Sequence, residues 1–146
     1  MPDKTLILGG GGFLGTAVAR ALARRNVPLR LFDRQYPAFA RDIPGDVEYV
    51  LGDALDEQAL ESAVRGCNRV LCFLGFTVPS SSTLVRECDT TLRSLALLLS
   101  VMERQGADML FYPSSGGTVY GDSPDRTPHA ETDALNPEGP TRSARC

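Results

Sequence analysis

The chain has 146 residues, 42% of them hydrophobic and 23% charged, with a net charge of −3 from 15 basic and 18 acidic side chains. That length suits one domain with a real core, and the balance is that of a soluble globular protein. No Lys/Arg run points to nucleic acid, and no apolar stretch approaches the roughly 18 residues of a membrane span or the core of a leader, so a cytoplasmic place is expected.

Met1–Pro2–Asp3–Lys4 leads into Thr5–Leu8 (TLIL), a short buried-strand run that ends in glycines. Phe13 to Arg25 has helical period, with Leu14, Val18, Ala21 and Leu22 expected on its inner face. PLRLFD (28–33) and VEYVLGD (47–53) read as strands closed by acids. Asp56 to Val64 reads as a helix with an acidic first turn, stopped by Gly66. Val70 to Leu74 is a further buried strand, and Leu84 to Arg104 is the longest helical pattern, ended by Gly106. Met109 to Tyr112 is the fifth strand and runs into PSSGGTVYG. This alternation implies a doubly wound α/β sheet of about five parallel strands in the order 3-2-1-4-5. Residues 122–146 hold four prolines and few large apolar side chains, so the expected division is 1–121 as a domain and 122–146 as an irregular tail.

Cys67, Cys72, Cys88 and Cys146 match no zinc spacing, and plain buried or surface thiols are expected, with no metal site. Gly9, Gly12 and Gly15 form G-x-x-G-x-x-G between a strand and a helix. In that context the first glycine turns the chain and the second admits a pyrophosphate. The third lets helix pack on sheet, and the helix N-terminus faces the phosphates. A dinucleotide site needs an acid about twenty residues on, and Asp33 stands there, able to accept hydrogen bonds from the adenosine ribose. Asp33 repels a 2′-phosphate, which favours NAD over NADP, although Arg34 could pair with one. Asp53 is either a partner for the adenine edge or a strand-end cap.

Five segments in register, GGGGFLG (9–15), LFDR (31–34), LGDALD (51–56), VLCFLG (70–75) and SSGGTVYG (114–121), make the chain resemble the extended short-chain dehydrogenase/reductase family, the NAD-dependent sugar-nucleotide epimerases and dehydratases. The resemblance implies a Rossmann fold. It also implies dinucleotide contact by Gly9, Gly12, Phe13, Leu14, Gly15, Asp33, Arg34, Asp53, Ala54, Leu74, Gly75 and Thr91. It places a substrate-facing hydroxyl at Ser115, with Thr118 as the fallback. Thr90 and Thr91 stand where the family usually carries an asparagine.

The family pattern continues through Asn136–Pro137 and then departs. The catalytic tyrosine and lysine, which share a helix face at i and i+4, are replaced in register by Thr141 and Arg145. An aliphatic alcohol is a far weaker acid than a phenol, and arginine lacks the compact ammonium of lysine. His129 is read as a solvated loop residue without an orienting partner. The architecture is therefore expected to be truncated relative to the family, binding NAD without turnover. A nucleotide-sugar partner belongs only to an intact homologue, and a non-catalytic dinucleotide-sensing module is the alternative. The leucine-rich helix over 84–105 is expected to self-associate, with the fifth strand left as a sheet edge.

Overall fold

The computed structural model describes residues 4–36, 43–75, 84–114, 119–121, 123 and 127–136. Five strands and three helices alternate among them: β1 (Thr5–Leu8), α1 (Phe13–Ala23), β2 (Leu29–Asp33), β3 (Val47–Leu51), α2 (Glu57–Val64), β4 (Arg69–Cys72), α3 (Leu84–Gln105) and β5 (Met109–Phe111). All strand pairs are parallel, in the order β3-β2-β1-β4-β5. The doubly wound reading holds, and β5 is a sheet edge.

Successive strand residues face opposite ways, so each face has its own core. Ile7, Leu29 and Leu31 pack with Ala19 of α1, joined by Val18, Leu22, Val47 and Tyr49. Leu6, Leu8, Phe32 and Val70 alternate with these and are also fully buried, as are Leu60 and Val64 of α2 and Leu98 and Val101 of α3. Arg104 of α3 meets Glu57 and Glu61 of α2 at 2.6 and 2.8 Å, which places these two helices side by side.

The inner face of α1 differs from expectation. Leu14 is exposed, as is Ala21, and the buried positions are Gly15, Thr16 and Ala19. Gly15 lies against the backbone of Gly9 and Gly10, where no side chain fits, while Val18 and Leu22 pack on the core as expected.

The helix ends follow local chemistry. Asp56 caps α2 by accepting from the N–H groups of Gln58 (2.9 Å) and Ala59 (3.3 Å). Gly106, at φ +72°, ends α3, and the Ala107 N–H returns to the Met102 carbonyl at 3.0 Å. The far end of α2 is closed by a distant residue. Arg30 of β2 donates to the carbonyls of Ala63 and Arg65, both at 2.7 Å, and pairs with Glu48 at 2.7 Å. Lys4 also pairs with Glu48, and these two cations hold its carboxyl below the ordinary range.

The chain divides into two compact units, Met1–Gly75 with Arg93–Tyr112, and Phe76–Leu92 with Pro113–Cys146. The first contains the sheet. In the second, the Asn136 N–H donates to the Val119 carbonyl at 2.9 Å, and the rings of Tyr120 and His129 stack with centroids 5.4 Å apart. Among the described residues no helix is long and apolar enough to cross a membrane, and no group of three or more His, Cys, Asp or Glu could hold a metal.

Candidate dinucleotide site

Every strand is parallel, so the C-terminal ends of β1, β2 and β4 lie along one edge of the sheet. The winding direction reverses there, because β1 pairs with β2 on one side and β4 on the other. The glycine loop fills this switch point. Gly9 and Gly10 both donate to the Phe32 carbonyl at the end of β2, at 2.9 and 3.1 Å, while Phe73 donates to the Leu8 carbonyl at 2.9 Å. The loop is thus tied to its neighbours on both sides.

Each motif glycine has a different reason to be there. Gly9 has φ +76°, the left-handed region that glycine enters at no steric cost. A Cβ on Gly15 would stand 2.2 Å from the Gly9 oxygen, so helix and loop touch backbone to backbone. A Cβ on Gly12 would meet only the Gly9 oxygen, at 3.3 Å, and otherwise project into open space. Gly12 is also the N-cap of α1, where no side chain caps the helix and no acid occupies the first turn. The first amides of α1 therefore lack intrahelical acceptors, and the helix presents its partial positive charge uncovered. Phe13 and Leu14 are exposed at this entrance.

Asp33 closes β2 beside the loop. One carboxylate oxygen accepts the Gly11 N–H at 2.9 Å, and the other accepts the Arg34 N–H at 2.7 Å. Both bonds come from backbone, so the carboxylate is oriented while each oxygen keeps a further lone pair. The Gly52 N–H donates to the Asp33 carbonyl at 3.0 Å, which brings the end of β3 alongside. Asp53 follows, accepting the Leu55 N–H at 3.0 Å and lying 3.3 Å from the Arg34 guanidinium. Asp53 thus makes a strand-end capping bond. Ala54 is buried next to it, and Leu74 and Gly75 continue from β4.

Thr91 is buried on α3, and the Thr90 hydroxyl donates to the Arg86 carbonyl at 2.8 Å. Ser115, Thr118, Thr141 and Arg145 lie outside the described residues. His129 is an exposed loop residue as expected, but it does have an orienting partner. Its Nδ1 lies 3.3 Å from the Asp133 carboxylate, which also accepts the Ala130 N–H at 2.9 Å, and its ring stacks on Tyr120. A carboxylate four residues ahead, across a turn, was the signal available for that partner.

Sequence reasoning also missed residues that build the loop. The buried Thr16 hydroxyl donates to the Gly10 carbonyl at 3.1 Å, pinning loop to helix. Gly10 leaves no room for a Cβ, which would fall 2.8 Å from the Leu31 Cβ. Cys67 and Cys72 are buried thiols, and burial pushes both above the ordinary thiol range, away from nucleophilic use. A cleft of about 370 Å³ lined by Lys4, Asn26, Pro28 and Asp46 lies at the N-terminal ends of the strands, the wrong end for this chemistry.

An uncapped helix N-terminus, an open glycine face and an oriented carboxylate suit a diphosphate joined to a ribose. Comparison with known proteins agrees. The model of the NAD dependent epimerase/dehydratase family matches residues 5–144. A UDP-glucose 4-epimerase of Streptomyces lividans is 26% identical over 145 residues, covering 96% of this chain and 44% of the relative. The UDP-glucose 4-epimerase of Thermus thermophilus, solved in complex with NAD, superposes with a TM-score of 0.84 at 23% identity, over 97% of this chain and 47% of its own. A short-chain dehydrogenase/reductase superfamily protein of Agrobacterium tumefaciens with bound NAD gives 0.77 at 26% identity, over 98% and 42%. The chain thus spans less than half the length of each of these relatives.

Proposed function

We propose, from the premise that this chain belongs to the NAD dependent epimerase/dehydratase family, that residues 1–121 bind NAD in preference to NADP. The observation that carries this reading is the Asp33 carboxylate, held by the Gly11 N–H beside the uncapped start of α1. In this reading the amides of Phe13, Leu14 and Gly15 face the pyrophosphate, and Gly12 gives it room. Asp33 takes the ribose hydroxyls and opposes a 2′-phosphate by charge. Ala54 and Asp53 flank the adenine, and Leu74 and Gly75 line the remainder of the dinucleotide. Bound NAD would supply a hydride acceptor for a sugar carbon, with Ser115 or Thr118 holding the sugar oxygen.

Proton transfer is where the proposal stops short of turnover. Thr141 and Arg145 stand in register with the family's tyrosine and lysine. A threonine hydroxyl titrates far above a phenol, whose ordinary value is about 10, and cannot serve as base near neutral pH. We therefore expect cytoplasmic NAD binding without nucleotide-sugar turnover by this chain alone. The same replacement favours a second reading, a dinucleotide sensor, which would be marked by unequal affinity for NAD and NADH. Self-association through α3 is part of the proposal, since Leu92 and Leu99 are 63% and 48% exposed on it.

The test is calorimetric titration of the 146-residue chain and an Asp33→Ala variant with NAD. Binding at micromolar affinity or better in the parent, weakened at least tenfold in the variant, is the expected result. No heat and no melting shift with millimolar NAD refutes the reading. Formation of UDP-galactose on adding UDP-glucose and NAD would refute the expected inactivity.

A further inference from the structure

The geometry points to Asp53 as a positioning residue that sets the choice between NAD and NADP by holding the Arg34 guanidinium. This inference rests on the dinucleotide reading above. Arg34 directly follows Asp33 and donates its own backbone N–H to the Asp33 carboxylate at 2.7 Å. Its side chain therefore starts beside the position where an adenosine 2′-substituent would sit. Asp33 by itself repels a phosphate there, yet a guanidinium one residue away can offset that charge and bind phosphate oxygens through two parallel N–H groups.

Arg34 is turned elsewhere. Its Nη2 lies 3.3 and 3.4 Å from the two carboxylate oxygens of Asp53. Asp53 reaches it because β2 and β3 run in register, Asp33 opposite Leu51, with the Gly52 N–H on the Asp33 carbonyl at 3.0 Å. The Leu55 N–H, at 3.0 Å from Asp53 Oδ1, keeps that carboxylate in place. A fixed acceptor thus holds a movable donor. The acid that discourages a 2′-phosphate is Asp33, and the acid that withholds its counter-charge is Asp53.

Both partners are about half exposed, 59% for Arg34 and 47% for Asp53, so the pair is a weak one. Surface pairs of this kind contribute at most a factor of about five, about 1 kcal/mol at roughly 1.4 kcal/mol per factor of ten. The effect is best read as a ratio of affinities, because any contact of Asp53 with adenine would change both dinucleotides alike.

The experiment titrates the full chain with NAD and with NADP at low salt, for the parent, Asp53→Asn, and Asp53→Asn combined with Arg34→Ala. Asparagine keeps an oxygen for the Leu55 N–H, so the turn and the melting temperature should be preserved. The expected result is a three- to fivefold rise in the NADP/NAD affinity ratio for the single variant, by the same arithmetic of about 1 kcal/mol. Adding Arg34→Ala should remove the gain. An unchanged ratio in Asp53→Asn, or a gain that persists without Arg34, overturns the inference while leaving NAD binding intact. Failure of the parent to bind either dinucleotide refutes the underlying reading, and this inference falls with it.

Discussion

Replacing Gly15 by alanine sets two known effects against each other, and the structure decides the sign. Gly15 lies within α1, where an exposed glycine-to-alanine change stabilises a helix by about 1 kcal/mol. Here the new Cβ would stand 2.2 Å from the Gly9 oxygen, about 1.2 Å inside the 3.4 Å at which ordinary contact begins, and 2.9 Å from the Gly10 Cα. Those atoms are backbone, so no rotamer change relieves the clash, and α1 must move off the loop. Overpacking of this kind costs about 1–3 kcal/mol and more where backbone meets backbone. The net expectation is a loss of about 2 kcal/mol, the upper part of that range less the helix gain. For a chain of this size it lowers the melting temperature by roughly 5–8 °C.

Gly12→Ala is the matched control. Its Cβ has only the Gly9 oxygen within reach, at 3.3 Å. The melting temperature should stay within about 2 °C of the parent, given so small a contact, while NAD affinity falls because the methyl stands in the open face. Scanning calorimetry with and without NAD separates the two variants. If Gly15→Ala melts at or above the parent temperature, the backbone contact is not what places glycine there. If Gly12→Ala binds NAD as the parent does, the open face is not the cradle.

Arg30→Met, which keeps the aliphatic stem but removes the guanidinium from the Ala63 and Arg65 carbonyls, should cost about 1.5–3 kcal/mol in urea denaturation, the usual range for charged hydrogen bonds. An unchanged midpoint would show that water caps α2 equally well. Glu48 is held below the ordinary value of 4.5, chiefly by Lys4 and also by Arg30, against an opposing effect of burial. A lowered folded value means that its stabilisation is present above 4.5 and is lost as pH falls through the folded value. The stability gap between parent and Glu48→Gln should therefore be present at neutral pH and close in acid; a gap that widens in acid contradicts the ion-pair account. Gly106→Ala puts a side chain at φ +72° with open space around it, so strain alone acts. The expected loss is about 1 kcal/mol, read by thermal denaturation, and a neutral result would mean that the end of α3 rearranges.

Much of this protein was legible without coordinates, for reasons that are local. Short apolar runs mark the parallel strands, and their alternation with helical periods leads to the 3-2-1-4-5 order. Asp56 and Gly66 announce the ends of α2 because caps and left-handed turns are requirements of single residues. The G-x-x-G-x-x-G spacing locates the loop for the same reason. Where local pattern misled, tertiary contact was the cause: Leu14 and Ala21 satisfy helical period with Val18 and Leu22, yet the glycine loop lies against Gly15 and Thr16, and Leu14 and Ala21 stay exposed.

The remainder belongs to the tertiary structure. Arg30 looks like a solvent-facing strand residue, and only the packing of α2 over the sheet brings the carbonyls of Ala63 and Arg65 to it. Arg34 and Asp53 read separately as cofactor contacts, and strand register makes them a pair. His129 found Asp133 and Tyr120 through the path of its own loop. Backbone demands are written in adjacent residues because they arise within a turn or two. The partner of a charged side chain is set by which distant segment the sheet and helices carry to it, and that follows from packing as a whole.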